Sequence, residues 1–242
     1  MPASSKSYGQ INDELECVSK GMCGRNSIGF SPADLSEKYG LSSAPVFEPS
    51  WNVAPSERSP VVTKPDQDRR CRLGLWSYCP SFGDNKEWME KQVINARVES
   101  VGTNEAFREA WDERHCVVPS TGFYEWKGGG GSNVPMFFHQ SGGIFSMAGI
   151  YTLIETSDGL EPAYAVLTRP ARPPVSEIHD REPVTLRRTE VEDYLSCELS
   201  SDHLKEVEGV ELRSRQASVS ANNPQNTDRG VTRRTTASLE DY

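Results

Sequence analysis

The chain has 242 residues and lacks any run of eighteen or more apolar side chains, and residues 1–21 lack the apolar stretch of a secretory signal. The default expectation is therefore an intracellular protein without a membrane span. Its six cysteines, at 17, 23, 71, 79, 116 and 197, form no CxxC pair and no regular spacing. That argues against both a zinc site and a disulfide framework and leaves most of them as buried, reduced thiols. Positive charge is also short. The net charge of −9 excludes a generic polyanion binder, so any nucleic-acid contact has to use a local cationic patch. Eleven acidic and six basic side chains fall between Glu190 and Tyr242, which places that patch upstream of the acidic C-terminal region. There is no internal repeat. "KGGGGSN" (127–133) has neither a GKS/T ending nor a following helix, and reads as a tip between two strands, not as a phosphate loop.

What is present points to an α+β fold, β-rich, with a few short helices. "PVVTK", "CRLGLWSY", "HCVVPSTGFYEW", "VPMFFHQ", "IFSMAGIYTLI" and "PAYAVLT" are β-branched and aromatic, bounded by Gly, Pro or Asp/Asn turns, and predict strands. "SPADLSEKYGL" predicts a helix with Ser31 as N-cap, Pro32 at its first position and Gly40 as its stop. "NEAFREAWDER" and "TEVEDYLS" predict two more. Residues 1–21 are expected to be a polar leader or an upstream start-site extension, 22–225 one folded domain, and 226–242 a flexible tail.

Four stretches place reactive groups beside small or aromatic residues: "MCGR", "NARVES", "GFYEWKG" and "IHDREPV". If Met22 were the initiator, its removal would leave Cys23 with a free α-amine, a 1,2-aminothiol in which both nucleophiles are partly available near neutral pH. Such a group condenses with an aldehyde to a five-membered thiazolidine, which an internal cysteine cannot do. Read alone, Cys23 is better explained as a buried structural thiol. Strand alternation puts Phe123 and Glu125 on one face and Tyr124 and Trp126 on the other. Glu125 is either a paired core carboxylate or a base strengthened by burial. His179 has the proton-transfer range suited to neutral pH, although a lone histidine is more often structural. Asn95 and Arg97 read equally well as a strand end or a loop.

Taken in order, "MCGR", "WNVAPS" (51–56), "NARVES" (95–100), "RHCVVPSTGFYEWKG" (114–128), "MAGIY" (147–151), "AVLTRPA" (165–171) and "IHDREPVTL" (178–186) closely resemble the SRAP family, the SOS-response-associated peptidases, over about residues 22–225. The resemblance implies a protein that captures abasic sites in single-stranded DNA as a reversible thiazolidine cross-link. It makes Cys23 the nucleophile, Asn95 a holder of the cross-linked terminus, Glu125 the base for the amine and His179 the general acid. Arg25 and Arg97 match phosphate-gripping arginines and Thr168 a lesion-pocket hydroxyl. No cofactor or metal is implied. The implied partner is single-stranded DNA with abasic sites, bound by a monomer, with replication-fork proteins as further partners. The implied location is the nucleoid or the nucleus. Leu73 stands where the family usually has a tryptophan, so either Trp76 takes over stacking on DNA or the wedge into the DNA is altered.

The cross-link requires an unacylated Cys23. Three routes are open: translation from Met22, removal of the leader, or a variant unable to cross-link. The first is favoured because Met22 directly precedes the cysteine. Two rival readings are a cysteine peptidase confined to removing its own leader and a noncovalent single-strand binder.

Overall fold

The computed structural model describes residues 24–66, 68–128 and 134–234. Cys23, the leader, the Gly-rich tip at 129–133 and the last eight residues lie outside that set. In chain order the elements are β1 (Asn26–Ile28), α1 (Pro32–Tyr39), β2 (Ser50–Val53), β3 (Arg58–Thr63), β4 (Arg70–Leu75), α2 (Asn85–Lys91), β5 (Asn95–Arg97), α3 (Glu105–Glu113) and β6 (His115–Ser120). There follow β7 (Gly122–Lys127), β8 (Val134–His139), β9 (Phe145–Thr156), β10 (Gly159–Pro170), β11 (Arg181–Pro183), β12 (Thr185–Leu186), α4 (Val191–Leu195), α5 (Ser201–Glu206) and β13 (Arg213–Gln216).

Two sheets share the work. In the larger, β10, β4, β3, β6 and β9 lie side by side, and the long β9–β10 hairpin closes the ring into a five-stranded barrel. Closure removes the free edges that would otherwise expose unpaired backbone groups. β5 and β11 pair with β10, and β12 pairs with β9. The smaller sheet has the order β13-β8-β7-β1-β2 and is antiparallel throughout. α1 begins as its sequence requires: Ser31 and Asp34 form a reciprocal capping box, Pro32 opens the first turn and Gly40 leaves it with a φ of 64°.

"HCVVPSTGFYEW" is two strands in two sheets. The chain leaves the barrel after Ser120 and enters the smaller sheet at Gly122. Thr121 between them is stitched to β1: its Oγ1 accepts from Gly29 N at 3.1 Å and lies 2.8 Å from Ser27 Oγ. The crossing needs glycine at 122, because a Cβ there would fall 2.7 Å from the Phe138 carbonyl oxygen and against the Phe137 ring. Gly122→Ala is accordingly expected to destabilise the protein by about 1–3 kcal/mol through overpacking, read as a lower denaturant midpoint.

The smaller sheet is packed on both faces, which explains the alternation in "GFYEW". Phe123 stacks on Phe138 within the main core shared with the barrel, while Tyr124 and Phe137 join Ala217, Ala221 and Val231 in a second cluster. That second cluster lies under residues 218–234, which form 3-10 turns at Val219–Asn222 and Arg229–Thr232. The expected flexible tail of 226–242 is corrected for 226–234, and the rest of it lies outside the described residues. Trp51 N donates to Thr227 O at 2.9 Å, Asn52 Nδ2 to Asn226 O at 3.0 Å, and Val231 is buried. The polar composition that suggested a loose end instead supplies partners for the buried amide of Asn52.

Candidate functional site

Two of the four reactive stretches, "NARVES" and "IHDREPV", meet on the strands that flank β10, which carries "AVLTRPA". β5 runs parallel to β10 with Asn95 opposite Val166 and Arg97 opposite Thr168. On the other side β11 runs antiparallel to β10, with Pro183 opposite Thr168 and Arg181 opposite Pro170. Residues far apart in sequence, Asn95, Arg97, Thr168 and Arg181, thus lie within one strand spacing of β10. Asn95 and Thr168 are buried and Arg97 is exposed.

Trp76 holds this arrangement from below. Its Nε1 donates to Ile94 O at 3.0 Å, the carbonyl immediately before Asn95, and its ring lies parallel to Tyr164 at 6.3 Å. The expected stacking of Trp76 on DNA is corrected: the indole is 1% exposed, so neither ring face is open to a base. It is a core residue that positions β5.

Arg181 is the site residue that sequence reasoning did not single out. Its guanidinium forks onto Glu99, with Nη2 to Oε2 at 2.8 Å, and also donates to Thr168 O at 2.8 Å and Thr168 Oγ1 at 3.3 Å. Burial pushes the Glu99 carboxyl up, but the Arg181 fork and the nearby Arg97 outweigh it and hold it below the ordinary range. Nothing in one sequence pairs residue 99 with residue 181. The backbone N–H of Arg181 donates to His179 Nδ1 at 3.1 Å, and Asp180 Oδ1 stands 3.1 Å from the same nitrogen. A ring nitrogen that accepts an amide proton carries none of its own, so the neutral ring keeps its proton on Nε2.

Arg25 and Glu125 sit on the smaller sheet. Asn26 pairs with Phe123, and Tyr124 N donates to Arg25 O at 3.1 Å, so the register carries Gly24 alongside Glu125. Glu125 is buried on the face shared with Phe123, the face turned to the main core. Arg25 points the other way: its Nη1 donates to Asn52 Oδ1 and Ala221 O, both at 3.1 Å, and its guanidinium lies 5.8 Å from the Trp126 ring centre. Burial lowers its basicity from the ordinary arginine value. Asn52, within "WNVAPS", is the hub of this corner, since its amide also reaches the carbonyls of Ala221 and Asn223. Among the described residues no cluster of His, Cys, Asp and Glu is placed to hold a metal ion, and no helix is long and apolar enough to cross a membrane.

The fold and these motifs have relatives. The chain is 27% identical over 217 residues to the abasic site processing protein YoaM of Bacillus subtilis, covering 85% of this chain and 95% of the relative. It is 28% identical over 159 residues to the abasic site processing protein YedK of Escherichia coli, covering 65% of this chain and 69% of that one. The abasic site processing protein HMCES of Gallus gallus is 26% identical over 209 residues, covering 68% of this chain and 62% of that one. Among solved structures, a protein from Bacteroides thetaiotaomicron superposes with a TM-score of 0.75 at 22% identity, over 88% of this chain and 99% of that one, and so shares the fold. Residues 22–224 match the family described as SOS response associated peptidase (SRAP), and the chain belongs to that family.

Proposed function

We propose that this protein processes abasic sites in single-stranded DNA by capturing them on Cys23. The observation that supports the reading is the β1–β7 register, which brings Gly24 and Arg25, the residues that follow Cys23 in sequence, beside Glu125 and Tyr124.

The chemistry balances without a cofactor. Glu125 accepts a proton from the α-ammonium of Cys23, and the freed amine adds to the C1′ aldehyde of the open-chain sugar. Loss of water gives an imine. The thiol then adds its sulfur to the imine carbon while the nitrogen takes up a proton, which closes the thiazolidine with one water released in all. His179 serves as the general acid for ring opening of the sugar and for the departing hydroxyl, and regains its proton from solvent. Asn95 holds the modified terminus, and the exposed Arg97 faces the flanking strand with the buried Thr168 opposite it on β10. An abasic nucleotide enters such a pocket easily because there is little stacking to break. Arg181 acts as a positioning residue, fixing Thr168 through its guanidinium and the His179 tautomer through its amide.

The test uses protein beginning at Cys23 and a single strand with one abasic site. A complex that survives denaturation is expected, and Cys23→Ala should abolish it, because an α-amine without the sulfur gives only a hydrolysable imine. Protein retaining residues 1–22 should form none. A stable complex with Cys23→Ala would refute the reading.

A further inference from the structure

A second basic feature lies on the opposite side of the smaller sheet from Glu125, inside the net-acidic region from Glu190, which corrects the expectation of a cationic patch upstream of that region. A cavity of about 330 Å³ is lined by Arg215, Arg229, Arg233, His139, Phe137 and Trp51, and no carboxylate lines it. In a chain with 35 acidic and 26 basic side chains, a cavity lined by three arginines and no carboxylate runs against the average; the adjacent Asp228 turns its Oδ1 to Gly230 N instead. None of the three takes part in an ion pair among the described residues.

Arg215 is preorganised there. Its guanidinium lies 5.0 Å from the Phe137 ring centre, Nε donates to Thr232 O at 2.8 Å and Nη2 to Thr232 Oγ1 at 3.3 Å. Its Nη1 stands 3.3 Å from His139 Nε2. A guanidinium can only donate, so His139 Nε2 is the acceptor and its proton sits on Nδ1, which reaches Gln140 O at 3.2 Å. Burial, with repulsion from Arg233 and Arg229, lowers the basicity of Arg215 from its ordinary value. An anion in the cavity would relieve that repulsion.

The cavity is also in line with Arg25. Arg215 pairs with Phe137, Phe137 with Tyr124, and Tyr124 bonds to Arg25, so one rung crosses four strands with an arginine at each end. Three strand spacings are about 14 Å, a distance that two or three nucleotides of an extended strand span. We infer that the Arg215, Arg229 and Arg233 cavity binds phosphate groups of the DNA strand beyond the lesion, as a second grip separate from the capture pocket. The anion chemistry stands on the cavity alone, and the identity of the strand rests on the proposed function.

The test measures the affinity of the full chain for an undamaged single strand across a salt series, with inorganic phosphate as a separate titrant. Arg229→Gln with Arg233→Gln removes two exposed charges. The control, Lys86→Gln with Arg108→Gln, removes two exposed charges on α2 and α3. The cavity variant is expected to bind about tenfold more weakly near 0.1 M salt, with a salt slope shallower by about 0.7 for each phosphate no longer gripped, while the control binds as wild type. Equal affinities and slopes for all three proteins would overturn the inference. Phosphate binding that depends on these arginines, with strand binding unchanged, would overturn the assignment to DNA. Loss of the covalent product with this strand behaviour intact would sink the Cys23 reading and leave the second grip standing.

Discussion

Replacing Glu125 by Gln is expected to slow capture of an abasic site by about 10²- to 10⁴-fold, the usual contribution of a positioned proton acceptor, with the affinity for an undamaged strand unchanged. The substitution keeps the shape of a side chain that is buried in β7 opposite Met136. What it removes is the acceptor for the α-ammonium proton, and at neutral pH the amine of an amino terminus is mostly protonated. Raising the pH should therefore recover part of the lost rate by deprotonating the amine without help. Single-turnover rates over a pH series check this. A rate that is unchanged, or a deficit that does not shrink with pH, would remove Glu125 from the role of base.

Arg169→Leu is expected to cost about 3–5 kcal/mol of stability, the range for leaving a buried ion pair broken. Arg169 on β10 is 1% exposed and faces Glu182 on β11, with Nε to Oε1 at 2.9 Å. Its Nη1 also donates to the carbonyls of Leu204 and Val207, which tie the α5 end to the barrel. Arg172 remains on Glu182 in the variant, through Nε at 3.1 Å and the backbone N–H at 3.1 Å, but it is partly open to solvent. The pH dependence has a definite sign. Burial already raises the Glu182 carboxyl from its ordinary value, against the opposing bonds from Arg172, and removing the Arg169 guanidinium 2.9 Å from Oε1 is expected to raise it further. A folded-state pKa above the unfolded one gives stability below the unfolded value and loses it as pH rises through the folded value. The deficit of the variant should thus be smaller in acid and grow as pH rises above about 4.5. Denaturant titrations at several pH values read it. A deficit that grows toward acid would contradict this account of Glu182.

Where the sequence carried strong local signals, it was legible. Ser31, Pro32 and Gly40 bound α1 as their chemistry dictates, and alternation sorted Phe123 and Glu125 from Tyr124 and Trp126 onto the two faces later seen in the packing. The long apolar strands β9 and β10 were equally clear. Short elements such as β1, β5 and β11, three residues each, have no period to detect and exist because neighbouring strands hold them. The site depends on those short strands. The proximity of Arg97, Thr168 and Arg181 follows from register across β5, β10 and β11, which no local pattern encodes. Trp76 misled for a related reason: an indole near a family motif suits stacking, but its partners Ile94 and Tyr164 come from other strands. Residues 226–234 misled by composition, because their bonds to Trp51 and Asn52 are made by backbone carbonyls, which composition does not register.

The central claim is that residue 23 offers its own nitrogen and sulfur to one carbonyl carbon. Intact mass spectrometry of Cys23-initiated protein after reaction with an abasic strand tests it most directly, combined with peptide mapping of the attachment point. The account predicts one product with the mass of protein plus DNA less one water, attached at Cys23 and surviving without chemical reduction. A stable adduct mapped to any other residue, or one that appears only after borohydride trapping, would contradict it.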